Sequence, residues 1–107
     1  MKKTLIGAAL AALLLSPTPS QAMDAHEFCS LVSKNARLAM VKRQEGVSMR
    51  RLIGAITDMT GPMAELARLA IQDAYSRPRY SSREYQLDAI SDFENEWYSD
   101  CYERATQ

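Results

Sequence analysis

The sequence predicts an all-α protein: a small bundle of about four helices, two long and two short, closed by one disulfide between the first and last helix. Apolar residues recur every three or four positions, no useful stretch alternates as a strand would, and breakers divide the chain into four segments. Two cysteines, Cys29 and Cys101, lie in the first and last of these segments.

The N-terminal segment has the layout of a secretory signal. Two lysines precede an apolar run over residues 4–15, and small residues follow at Ser20 and Ala22. An uncleaved anchor is the alternative, but the run is shorter than the roughly 20 residues that span a bilayer. We therefore expect residues 1–22 to be a signal peptide and residues 23–107 a single helical domain, periplasmic or secreted.

The first two helices are predicted over residues 24–45 and from Ser48 to about Asp58. Asp24 suits the N-cap of the first helix and Gly46 its C-terminal stop, while Ser48 suits the N-cap of the second. The apolar stripe of the first helix consists of Phe28, Val32, Ala36 and Ala39.

The third helix is predicted to begin at Pro62, where a missing N–H costs nothing, and to end near Tyr75. A loop over residues 77–79 follows. Ser81 and Glu84 then have the spacing of a capping box, which predicts the start of the last helix.

The last helix places Trp97 and Cys101 on its apolar face, so we expect Trp97 to be mostly buried near Phe28 and Val32. Acidic residues follow one another at a spacing of four on another face, which predicts a solvated surface. These residues are Asp88, Asp92, Glu96 and Asp100.

Two cysteines in an oxidising compartment most simply form one disulfide. An intermolecular bridge and a metal pair are the alternatives. Because Cys29 and Cys101 are far apart in the sequence and His26 is the only histidine, they would make a poor metal site. No metal and no cofactor are expected.

The charge pattern argues against nucleic acid as a partner. The chain has 13 basic and 13 acidic residues, so removal of Lys2 and Lys3 with the signal leaves a net charge of −2. Residues 34–51 carry six bases and one acid, whereas residues 84–103 carry seven acids and no base. The two surfaces either neutralise each other within the monomer or form an electrostatic docking face.

Catalysis is not expected, because nothing in the sequence pairs a nucleophile with His26 and an orienting group. The haem, zinc and phosphate-loop motifs are also missing from the sequence.

The segment from residue 75 to residue 85 is the candidate binding surface. It brings three arginines and three tyrosines together just before a helix, and these side chains are frequent in binding hot spots. In this interpretation little of the helices or core depends on the charges of the arginines. The alternatives are that the tyrosines pack the corner and the arginines are solvated, or that the arginines pair with the acids of the last helix. The candidate binding residues are Tyr75, Arg77, Arg79, Tyr80 and Arg83.

A resemblance to known proteins rests on three short segments and one dipeptide near the C-terminus. These are Arg43–Met49, Ala74–Pro78, Ala89–Asn95 and Cys101-Tyr102. The chain resembles a group of small uncharacterised secreted helical proteins encoded by phages and prophages of Gram-negative bacteria. The resemblance implies a phage-encoded product exported to the envelope, and it carries over no functional residue.

The expected function is that of an exported non-catalytic binding or modulator protein that acts on a host envelope protein. Its partner is expected to be a periplasmic protein, with no nucleic acid bound and no stable membrane insertion after signal cleavage. A small chaperone-like or self-associating stress protein is the alternative, and an enzyme acting on cell-wall material is the third hypothesis.

Overall fold

The computed structural model describes residues 23–107, and the predicted signal peptide lies outside the described residues. Four helices follow one another, and residues 23–107 contain no β-strand. The predicted all-α fold with two long and two short helices is confirmed. The helices are α1 (Ala25–Glu45), α2 (Met49–Ala55), α3 (Pro62–Tyr75) and α4 (Arg83–Ala105).

The helix ends follow local sequence signals, with two exceptions. The second helix, α2, ends at Ala55 and not near Asp58 as predicted, and the other exception is the start of α4. Asp24 accepts a hydrogen bond of 2.7 Å from the Glu27 amide at the start of α1. At α4, Ser82 is the N-cap and accepts from the Tyr85 amide at 3.2 Å. The predicted capping box from Ser81 to Glu84 is therefore wrong, because it is displaced by one residue and leaves Glu84 too early in the helix to reach back.

The core forms where α1 packs against α3 and α4, while α2 packs on α3. Half of its side chains are alanines, which lets the helix backbones approach closely, and Phe93 of α4 is among the largest buried side chains. The buried core cluster consists of Ala36, Ala39, Met40, Ala70, Ile71, Ala74, Ile90 and Phe93.

A disulfide joins Cys29, in the first turns of α1, to Cys101, in the last turns of α4, with the two Cα atoms 5.6 Å apart. The predicted pairing is confirmed, and Cys29 is fully buried. Arg37 contacts Glu94 further along the same two helices, so α1 and α4 run in opposite directions. This is the one ion pair between α1 and α4 among residues 23–107, so mutual neutralisation of their charges is slight.

As expected, Trp97 packs against the core cluster and is more buried than exposed. It lines a common groove with Phe28 and Val32. The indole N–H donates to Asp73 Oδ2 of α3 at 2.8 Å, because a buried indole N–H needs an acceptor and Asp73 supplies one at the edge of the core.

Within residues 23–107, no helix is both long enough and apolar enough to cross a membrane.

Candidate functional site

The turn between α3 and α4, residues 76–82, lies over the C-terminal end of α1 and is held there by Gln44. This residue is only 3% exposed. Its side-chain Nε2 donates to the Pro78 carbonyl at 2.9 Å, and its Oε1 accepts from the Tyr80 amide at 2.9 Å. One buried amide therefore satisfies two backbone groups of the turn and fixes its position on α1.

Arg79 binds the same helix end from outside. Its Nε donates to the Gln44 carbonyl at 3.0 Å, one of the carbonyl groups that the end of a helix leaves without a partner. The guanidinium lies against Gly46, where an added Cβ would be 2.8 Å from Nη2 of Arg79. Gly46 also has a φ of 84°, so this position favours glycine on two grounds.

Tyr75 secures the other side of the helix end. Its hydroxyl donates to the Val47 carbonyl, and the guanidinium of Arg43 lies 5.3 Å from the centre of its ring. Burial raises the pKa of the Tyr75 phenol, an effect that the positive charge of Arg43 opposes. Arg43 Nε donates to the Arg77 carbonyl at 3.1 Å, so these contacts join α1, α3 and the turn.

Arg77 connects α3 to α4. Its Nη1 is 2.9 Å from Glu96 Oε2, its Nε is 3.3 Å from Asp73 Oδ1, and its guanidinium lies 5.1 Å from the centre of the Phe93 ring. Burial alone would lower the pKa of Arg77, but the hydrogen bonds to Glu96 and Asp73 outweigh it and raise the pKa. The expectation that the fold does not depend on the loop arginines is wrong for Arg77 and Arg79.

The five candidate binding residues thus divide into two groups. The side chains of Tyr75, Arg77 and Arg79 form hydrogen bonds with the rest of the fold, whereas those of Tyr80 and Arg83 form none within residues 23–107. The binding role of all five stays a prediction.

A concave site of about 280 Å³ lies on the exposed side of this corner. Tyr80 and Tyr85 form one wall, with ring centres 6.1 Å apart and planes inclined by 64°. We call this site the aromatic–acidic pocket, and it is lined by Tyr80, Tyr85, Asp88, Ala89 and Asp92. Sequence reasoning treated the two aspartates as plain surface, although their spacing from Tyr85, at i+3 and i+7, places all three on one helix face.

A second concave surface lies at the opposite end of the bundle, beside the disulfide. It is an open groove of about 350 Å³ with mostly apolar walls, in which Leu66 of α3 faces Trp97 of α4. We call it the disulfide groove, and its remaining lining residues are Phe28, Val32, Asp100, Cys101, Arg104 and Ala105.

His26 lies outside both surfaces and shares a hydrogen bond of 2.8 Å with the Tyr98 hydroxyl. In the part of the chain that the structure describes, no three His, Cys, Asp or Glu side chains come close enough to hold a metal ion.

Comparison with protein-family models, with curated proteins and with solved structures found no match to this chain.

Proposed function

We propose that this chain is an exported, non-catalytic binding protein of the bacterial envelope that acts on a host protein there, as a phage-encoded modulator. The observation that carries the proposal is the exposed tyrosine pair of the α3–α4 corner. Tyr80 and Tyr85 are 39% and 60% exposed, yet the backbone beneath Tyr80 is held by the buried amide of Gln44.

Such a rigid aromatic surface is well suited to binding. Tyrosine contributes a large contact area with few rotatable bonds, so little conformational entropy is lost when a partner covers it. Because Gln44 already orders the turn, binding does not have to order the backbone as well. Exposed aromatic side chains on an ordered loop are typical of interaction sites.

The proposed location rests on the sequence and on the disulfide. The N-terminal residues have the pattern of an export signal, and a disulfide between α1 and α4 is typical of proteins that fold in an oxidising compartment. The periplasm of a Gram-negative host satisfies both conditions and matches the phage resemblance.

Site-specific photo-crosslinking tests the proposal. A photoreactive phenylalanine derivative is placed at position 85, and in a matched control at Leu38, which is similarly exposed on α1. In the producing bacterium we expect one adduct of defined mass from position 85 and none from position 38. The absence of an adduct at position 85, or the same adducts from both positions, would contradict the proposal.

The disulfide groove favours a second candidate, a chaperone-like or self-associating protein. Ion pairs of Glu94 with Arg37 and of Glu96 with Arg77 join α4 to the rest of the bundle beside an open apolar surface. This candidate predicts a rise in mass by light scattering, and protection of a client protein, as the pH falls from neutral to acidic. Leu66→Glu should abolish both effects, and an unchanged mass without protection excludes this function.

A further inference from the structure

We propose that the aromatic–acidic pocket binds a cationic side chain, an arginine or a lysine, of the partner protein. The inference deepens the proposed function by naming the chemistry that the α3–α4 corner recognises. The candidate binding residues predicted from the sequence include three arginines, but the polar residues that line the pocket are two tyrosines and two aspartates.

The tyrosines supply aromatic faces for a cation. A positive group over an aromatic ring is attracted by the negative charge density of the ring face. Tyr80 comes from the turn and Tyr85 from the first turn of α4, and their rings meet edge to face rather than stacked. Both residues line the cavity.

The aspartates supply net charge. Asp88 and Asp92 are exposed one turn apart on α4, and within residues 23–107 neither forms an ion pair. Residues 84–103 contain no base, and the guanidinium groups of Arg77 and Arg79 are held by Glu96 and by the Gln44 carbonyl. The pocket is therefore negative and has no internal cation to fill it.

Ala89 provides the space. It lies between the two aspartates on the pocket floor, where its methyl group leaves the cavity open. A zwitterionic lipid headgroup would bring a phosphate close to Asp88 and Asp92, whereas an arginine or lysine side chain brings only positive charge. The acidic floor thus favours a protein side chain over a lipid.

Nuclear magnetic resonance titration of the disulfide-bonded protein provides the test. The probes are the capped tripeptides Gly-Arg-Gly and Gly-Lys-Gly, the neutral control Gly-Gln-Gly, and phosphocholine. We expect the cationic peptides to bind at millimolar concentration, to shift the amide signals of Tyr85, Asp88 and Ala89, and to bind more weakly as salt is added.

Three variants separate the contributions. Tyr85→Leu removes the ring face and should weaken binding about threefold or more, whereas Tyr85→Phe should stay within about twofold of the wild type. Asp88→Asn should weaken binding and reduce its salt dependence. Ala89→Leu should block the cavity without a change of net charge, and each variant is first checked for an unchanged helical spectrum.

The inference is overturned if the glutamine peptide shifts the same signals equally, if Tyr85→Leu binds like the wild type, or if phosphocholine binds more tightly than the arginine peptide. Its failure is distinguishable from failure of the proposed function. A crosslink at position 85 that survives Asp88→Asn, combined with no binding of cationic peptides, would leave a binding protein whose pocket recognises something else.

Discussion

The two ends of the bundle are held by different means. At one end a covalent bond joins Cys29 to Cys101, with the hydrogen bond between His26 and Tyr98 beside it. At the other end no covalent bond is present, and Gln44 and Arg79 hold the turn by hydrogen bonds. The covalent end has an open apolar groove, whereas the hydrogen-bonded end is closed around buried polar groups.

This difference explains where side chains are free to bind. A disulfide holds two helices whatever the surrounding packing, so the partly buried Trp97 can line an open groove beside it. A hydrogen-bonded corner must use its own polar side chains, and those of Arg77 and Arg79 are therefore engaged in hydrogen bonds. The proposed binding at the corner falls to side chains outside this network, chiefly those of Tyr80 and Tyr85.

The largest expected effect concerns the covalent end. Replacing both cysteines, Cys29→Ser with Cys101→Ser, should lower the free energy of unfolding by about 4 kcal/mol, because the bond closes a loop of 72 residues in the unfolded chain. Urea denaturation measures the change, and the reduced wild type should match the variant. If the free energy of unfolding of the variant lies within about 1 kcal/mol of that of the oxidised protein, the disulfide is not what holds this end of the bundle.

Gln44→Ala should have the largest effect at the hydrogen-bonded end, about 2–3 kcal/mol, because it leaves the Pro78 carbonyl and the Tyr80 amide without their partner. Asn35→Ala, an exposed position on the same helix, is the matched control and should change little. Gln44→Met keeps the volume but not the hydrogen bonds. If this variant is as stable as the wild type, packing rather than hydrogen bonding holds the corner.

Arg77→Ala and Arg83→Ala compare a corner arginine that forms ion pairs with one that does not. Arg77→Ala should cost about 1–2 kcal/mol, because it removes a cation–π contact and two partly exposed ion pairs. Arg83→Ala should stay within about 0.5 kcal/mol of the wild type, as surface substitutions usually do. Thermal melts of both variants make the comparison, and equal melting temperatures would contradict it.

A smaller effect than that of Arg77→Ala is expected at Tyr75. Tyr75→Phe should cost about 1 kcal/mol at neutral pH through loss of the hydrogen bond to Val47. Because the folded-state pKa of Tyr75 lies above that of the unfolded chain, its contribution is complete below about pH 10 and is lost as the pH rises through the folded pKa. The free energy of unfolding, measured at several alkaline pH values, should therefore fall less steeply with pH for the variant than for the wild type. Identical slopes for the two proteins would exclude this role of Tyr75.

Local signals in the sequence were enough to predict most of the fold. The caps Asp24, Gly46 and Ser48 and the N-terminal proline of α3 act on backbone groups within four residues of themselves, and all are found as predicted. The disulfide followed from cysteine count. Ser81 and Ser82 are adjacent and chemically alike, so sequence alone did not distinguish which would begin α4.

The candidate site depended on contacts between residues distant in sequence. Gln44 meets Pro78 across 34 positions, and no periodicity marks a glutamine as the centre of a buried network. The arginines of the loop look alike in the sequence, yet Arg77 pairs with Glu96 and Arg79 donates to the Gln44 carbonyl, whereas Arg83 forms no ion pair within residues 23–107.

The position of the disulfide also determines what a single proteolytic cut can do. The stretch between α2 and α3, residues 57–61, is fully exposed and lies inside the loop that Cys29 and Cys101 close. A protease that cuts there produces two fragments that remain one covalent molecule, with α1 still tethered to α4. In a compartment rich in proteases, the nicked protein keeps both fragments at a high effective concentration, so they can reassemble without having to find each other.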